Sequence, residues 1–266
     1  MVIFHDISYA QGAYNMDADP NPVIAMKMSG FFYGSKGGYL DAQAANNYNN
    51  AIRTGKVPIL YHFAGGADPI VEADYFLAAC APYADGDIYC LDYELEDYMN
   101  PPADPANWCL QFCERVHEKT GTWPIFYTFA AMLQRYGFDA VLKNCALWIA
   151  DYAVSPNDEV PTNGHPYIIH QYQGSPLDTD ALFIDVETLK KYGYHAPQAP
   201  TPAPTPEPTP APQPEPTPVT PSVEQPQPTP APVESPTPTP VASKTLFDWI
   251  SDLVSKVIAW LKSFHK

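Results

Sequence analysis

The chain has 266 residues, with 14 Lys/Arg against 30 Asp/Glu and a formal net charge of −16. Most of that imbalance lies in the first 196 residues, where 10 Lys/Arg face 24 Asp/Glu; so acidic a domain is repelled by phosphate backbones, which excludes nucleic acid as a natural partner. Composition also divides the chain into 1–196, with all five cysteines and the apolar, aromatic and polar mixture of a folded domain, 197–242, and 243–266.

Met1-Val-Ile-Phe-His-Asp6 lacks the basic and long apolar regions of a leader and reads as a core strand, so synthesis in the cytoplasm without a signal peptide is expected. Short apolar, β-rich runs then recur at Val2–Asp6, Val23–Met28, Val57–Phe63, Asp87–Tyr93, Pro124–Thr128, Ala146–Asp151, Tyr167–Tyr172 and, more weakly, Ala181–Asp185. Between them, Asp41–Arg53, Pro69–Ala81 and Asp104–Lys119 carry apolar residues at helical spacing, and Asp104-Pro105 reads as an N-cap followed by proline at the first helical position. Alternating strands and helices imply parallel strands. About eight of them in ~190 residues fit a single irregular TIM-like β/α barrel over 1–196, of class α/β. A doubly wound open sheet is the competing architecture, but no glycine-rich phosphate loop supports it.

Cys80, Cys90, Cys109, Cys113 and Cys145 sit in apolar surroundings and are expected to be buried free thiols, since neither their spacing nor a nearby histidine makes a zinc site. From Pro197 to Pro240 there are 19 prolines alternating with Thr, Ala, Gln and Glu. That composition cannot form a packed core and favours a disordered, extended linker, with a reach on the order of 130 Å if fully stretched. Residues 243–266 place Leu246, Phe247, Ile250, Leu253, Val254, Val257, Ile258, Leu261 and Phe264 at three and four spacing, an amphipathic helix with Trp249 and Trp260 and a net charge of +2. Contact with a membrane or anionic envelope is expected of it, with self-association or docking on the barrel as alternatives.

The strongest chemical signal is Asp92-Tyr93-Glu94, directly after the apolar run Ile88–Leu91. Residues two apart on a strand point to one face, so both carboxylates can converge on a single sugar bond. Glycoside hydrolysis requires such a pair, one carboxyl protonated to serve the leaving oxygen and one ionised beside the oxocarbenium-like centre. Further polar and aromatic residues recur at strand ends: Asp6, Tyr61-His62-Phe63, Tyr127, Trp148 and Asp151, and Gln171-Tyr172. In a β/α barrel those ends carry the active site, and aromatic faces with acids and amides are what a sugar cleft needs. His5, His62 and His170 lie on separate strands without a short ligand motif, so no metal site is expected of them.

Taken in order, these elements resemble the glycoside hydrolase family 25 lysozymes, the Chalaropsis-type muramidases common among phage endolysins. The resemblance runs through His5-Asp6-Ile7-Ser8 with Gln11-Gly12, Lys27, Tyr39 and Asp41, Tyr61–Ala64, Leu91–Glu94, Trp108, Thr120-Gly121, Leu147–Ala150 with Tyr152, and Gln171-Tyr172 with Asp178 or Asp180. It implies cleavage of the β-1,4 bond between N-acetylmuramic acid and N-acetylglucosamine in bacterial peptidoglycan, with retention and without a metal or other cofactor. Glu94 would be the general acid/base and Asp92 its assistant. Asp6 and a late aspartate, Asp178 in preference to Asp180, would line the cleft, and Tyr61, His62, Phe63, Tyr127, Trp148, Tyr152, Gln171 and Tyr172 would hold the sugar. Three positions depart from the family pattern: His170 stands where tryptophan usually precedes Gln-Tyr, Met28-Ser29-Gly30 lacks the customary acid, and Leu177–Asp180 offers two candidates for one aspartate. An endolysin would reach the wall through a separate, holin-type pore. A non-catalytic glycan-binding module on the same barrel is the alternative, against which the intact Asp92/Glu94 pair speaks.

Overall fold

The computed structural model describes residues 1–34, 37–83 and 87–193. Nine strands form, in chain order, β1 (Val2–Ile7), β2 (Val23–Phe31), β3 (Gly38–Leu40), β4 (Val57–Phe63), β5 (Ile88–Asp92), β6 (Ile125–Phe129), β7 (Leu147–Ala150), β8 (Tyr167–Gln173) and β9 (Thr179–Leu182). β1, β2, β4, β5, β6, β7 and β8 pair in parallel in that order. β9 runs antiparallel to both β8 and β1 and completes the ring, so the sheet is a closed eight-stranded barrel rather than an open doubly wound sheet. β3 is a short antiparallel flap on β2, outside the ring.

Two features differ from the sequence reading. The weakly marked last strand lies at Thr179–Leu182 rather than Ala181–Asp185, and it is antiparallel because only a short turn separates it from β8. β3 escaped notice because three residues are too few for alternation to register.

The helices form where caps and apolar spacing agree: α1 (Ala44–Arg53), α2 (Pro69–Cys80), α3 (Pro105–Thr120), α4 (Ala130–Tyr136), α5 (Asp139–Leu142) and α6 (Val186–Lys190). The Asp68 carboxylate accepts the Ile70 and Val71 amides ahead of Pro69, Asp104 caps α3 through the Asn107 amide, and α3 stops at Gly121, which adopts φ +75°. α4 and α5, of seven and four residues, were too short to be read from periodicity.

Strand alternation sorts the core into two layers. Phe4, Val23, Ala25, Ile59, Ile88, Cys90, Ile125, Ile169 and Leu182 fill the barrel, while Ile24, Met26, Leu60, Leu91 and Phe126 face outward beneath Phe76, Trp108, Phe112 and Val116 of the helices. All five cysteines are free and buried. The expected linker at 197–242 and helix at 243–266 lie outside the described residues.

Candidate active site

Continuing the inward parity to the C-terminal end of each strand brings polar side chains to one mouth of the barrel. Phe4 is followed by Asp6, Ala25 by Lys27, Ile59 by Tyr61 and Phe63, Cys90 by Asp92 and Glu94, and Ile169 by Gln171. These residues, with Ser8, Ala10, Gln11, Tyr127, Trp148, Tyr152 and Asp178, line a cleft of about 670 Å³ including its open mouth. A shallower groove of about 790 Å³, walled by Glu96, Phe129, Ala130, Ala131, Ala150 and Asp151, shares Glu94, Tyr127 and Tyr152 with it. Glu94 therefore stands at the junction of the two, whereas Asp92 faces only the first.

Gln171 organises the cleft floor. Its Oε1 accepts the Tyr127 hydroxyl at 2.9 Å and the Tyr152 hydroxyl at 2.7 Å, which leaves its Nε2 to donate to Asp6 Oδ2 at 2.7 Å. Asp180, fully buried below, accepts Trp148 Nε1–H at 2.8 Å and turns its other side to Asp6. Burial, with Asp178 nearby, pushes the Asp6 carboxyl up to about 7, and burial beside Asp6 drives Asp180 well above the usual carboxylate range.

The Asp92 and Glu94 carboxyls hydrogen-bond to each other, and desolvation raises both, Asp92 the more strongly with Glu94's charge adding to it. Two desolvated like charges side by side disfavour joint ionisation, so the pair favours sharing a proton. Asp92 Oδ1 is buried without a hydrogen-bond partner. Lys27 opposes the accumulation of negative charge: its ammonium lies 4.5 Å from the Phe63 ring centroid and 5.6 Å from that of Tyr61, and its charge lowers Asp92, Glu94 and Asp178. Among the described residues no three His, Cys, Asp or Glu side chains are grouped to hold a metal ion.

The family model of the glycosyl hydrolases family 25 matches residues 5–180. The chain belongs to that family. Solved structures with the same fold include a muramidase from Acremonium alcalophilum, 21% identical, covering 72% of this chain and 98% of its own, with a TM-score of 0.60. A family 25 lysozyme from Aspergillus fumigatus is 22% identical over 73% of this chain and 99% of its own, with a TM-score of 0.58. The catalytic domain of an endolysin from a bacteriophage of Listeria monocytogenes is 23% identical over 72% of this chain and 97% of its own, with a TM-score of 0.57. No curated protein matches the sequence.

For a family 25 chain the placement of individual residues is informative. Of those expected at the site, Asp6, Tyr61, Phe63, Asp92, Glu94, Tyr127, Trp148, Tyr152, Gln171 and Asp178 line the one cleft. Three do not. His62 is fully buried on the outward face of β4, its ring bonded to Ser29 Oγ at 2.8 Å and to Glu72 Oε2 at 3.1 Å. Tyr172 points away from the cleft, as its place next to inward Gln171 dictates, and packs near His170. Asp180 supports Asp6 from beneath and Asp178 is the one at the mouth. Ala10 and Cys90 were not anticipated as site residues, and Ser8, Gln11 and Lys27 entered only through the resemblance. Lys27 had a readable signal, being a single cation within the apolar run of β2 on its inward parity.

Proposed function

We propose that the chain is an endolysin-type muramidase, cleaving the β-1,4 bond between N-acetylmuramic acid and N-acetylglucosamine of peptidoglycan with Glu94 as general acid/base. The observation that carries this reading is the neighbouring Asp92 and Glu94 carboxyls, with Glu94 at the junction of a polar, aromatic cleft and its adjoining groove. Glu94 stands where a polysaccharide crossing both would present its scissile bond. The stronger shift favours the proton on Asp92 in the free site; handed across to Glu94, it passes to the glycosidic oxygen as the C1–O bond breaks, and Asp92, left as a carboxylate, stabilises positive charge at the ring. Glu94, now a carboxylate, takes a proton from the incoming water. Retention at the anomeric carbon is part of this proposal and rests on the resemblance to the family 25 lysozymes.

Asp6, locked by Gln171, and Asp178 at the mouth would hold sugar hydroxyls or the acetamido group, and Tyr61, Phe63, Tyr127, Trp148 and Tyr152 would offer apolar faces. The names of the structural relatives, a muramidase, a lysozyme and a phage endolysin, support the same substrate. Loss of turbidity of purified walls, with mass spectrometry of the released ends, tests the reading. New N-acetylmuramic acid reducing ends from the wild type, absent with Glu94→Gln, are expected; walls left intact yet bound by the wild type would make the protein a glycan-binding module.

Residues 243–266 are proposed to contact the bacterial membrane, on the strength of their apolar stripe, net charge of +2 and two tryptophans. Co-sedimentation of the full chain with anionic vesicles, compared with a chain ending at residue 242, tests this: equal binding by both would refute it. With the endolysin reading goes the proposal that the chain is made in the host cytoplasm and released through a separate pore.

A further inference from the structure

We propose that an aromatic ridge beside the cleft, formed by Tyr9 on the turn after β1 and by Phe32 on the β2–β3 hairpin, binds the continuation of the same glycan strand beyond the sugars held at Asp92 and Glu94. This rests on the hydrolase reading above and adds a binding surface to it.

Two large side chains stand open to solvent there: Tyr9 is 61% exposed and Phe32 59%. Exposed singly, such residues need no explanation; gathered at the rim of a cleft, they mark a binding surface. They are held rather than loose. Tyr9 lies within the short helical turn Tyr9–Gln11, whose start is capped by Ser8 and Gln11 in reciprocal hydrogen bonds, and the Tyr9 amide donates to Asp41 Oδ2 at 3.0 Å, tying the turn to the foot of the hairpin. Phe32 packs on Tyr39 of β3 with ring centroids 4.8 Å apart. The Tyr39 hydroxyl in turn lies so close to Gly30 of β2 that a Cβ there would meet it at 2.5 Å.

The occupant is argued from continuity. Ser8, Ala10 and Gln11 line the cleft wall, so Tyr9, between them in sequence, carries that wall outward onto its rim. Tyr39, half-buried behind the ridge, packs on Phe32 and is near enough to Asp92 for that carboxylate to raise its hydroxyl, which ties the exposed ring to the reacting carboxyls. A polysaccharide emerging from the cleft on this side meets flat apolar faces of the kind that stack on pyranose rings, with no cation or carboxylate in the ridge itself to select a charged partner. The groove beyond Tyr152, lined by Glu94, Glu96 and Asp151, forms the opposite arm.

The test compares hydrolysis of an uncross-linked wall glycan polymer with that of a defined tetrasaccharide of alternating N-acetylglucosamine and N-acetylmuramic acid, using the full chain and the double variant Tyr9→Ala/Phe32→Ala. Loss of two stacking faces is expected to raise KM for the polymer on the order of tenfold, with kcat/KM for the tetrasaccharide unchanged, since the short substrate is satisfied within the cleft. Tyr9→Phe, which keeps the ring, is expected to behave as wild type. Equal losses on both substrates would overturn the proposal by making the ridge part of the cleft, and so would unchanged kinetics accompanied by a change from dimer to monomer in sedimentation, which would make the ridge a contact between copies. If the wild type cleaves neither substrate the hydrolase reading fails, and co-sedimentation with the polymer then decides the ridge separately: equal binding by wild type and double variant overturns it.

Discussion

The Asp6 carboxyl is the titrating group whose consequence is most directly measurable. Burial and Asp178 raise it from 3.8 to about 7, so the folded protein holds a proton there that the unfolded chain has already released. A carboxyl raised on folding contributes stability that is complete below its unfolded value and is lost as pH climbs through its folded value. Between pH 5 and pH 8 that loss amounts to roughly 2–3 kcal/mol for Asp6, which corresponds to a fall in Tm of roughly 5–10 °C for a domain of this size. Asp6→Asn keeps the shape, lets the amide oxygen accept from Gln171 and the amide nitrogen donate to Asp180, and removes the titration. Thermal unfolding of both proteins by circular dichroism at pH 5, 6.5 and 8 is the assay. The wild type should lose stability across the range, and the variant should lose roughly 2–3 kcal/mol less, its remaining fall coming from Asp92, Glu94 and Asp180, which are raised with the same sign in both. An equal fall in the two proteins, or a wild type that becomes more stable toward pH 8, would refute the reasoning.

Lys27→Met removes the cation that lowers Asp92, Glu94 and Asp178; the pH profile of wall hydrolysis should move upward by about one pH unit, and an unmoved profile would show that Lys27 acts only through its contacts with Phe63 and Tyr61. Glu72→Gln should destabilise the domain by about 1–3 kcal/mol, read from urea unfolding, because the buried Glu72 carboxylate gathers the Gly65 and Ala67 amides at 2.9 and 2.6 Å and the His62 ring at 3.1 Å. An unchanged midpoint would mean that the loop after β4 is held by the Trp108 indole on the Ala67 carbonyl instead.

Much of the barrel was legible because its strands are buried on both faces, so they read as short unbroken apolar runs bounded by turns, and the long helices announced themselves by Asp-Pro starts at Asp68-Pro69 and Asp104-Pro105. What stayed hidden was short or polar. β9 begins Thr179-Asp180, a pair that reads as loop by composition, yet Asp180 is buried because it has Trp148 and Asp6 to bond. Closure of the ring, through β1–β2 pairing on one side and β9 between β8 and β1 on the other, is a relation between distant segments that no local pattern encodes.

At the site, the same alternation that made strands readable could have sorted the candidates more finely. Tyr61, His62 and Phe63 cannot all face a cleft: Tyr61 and Phe63 do, and His62 turns outward to Ser29 and Glu72. Gln171 and Tyr172 divide in the same way. Asp178 and Asp180 share a parity, and there depth decides instead: Asp180 is fully buried beneath Asp6 while Asp178 reaches the mouth. That division gives the four acids besides Glu94 distinct duties. Asp92 shares its proton with Glu94, Asp6 is oriented by Gln171, Asp178 meets solvent, and Asp180 holds Asp6 from below. Lys27 is the counter-charge that lets so many carboxyls share one small space, and its position on the inward face of an apolar strand is the feature by which the sequence already marked that space as something other than core.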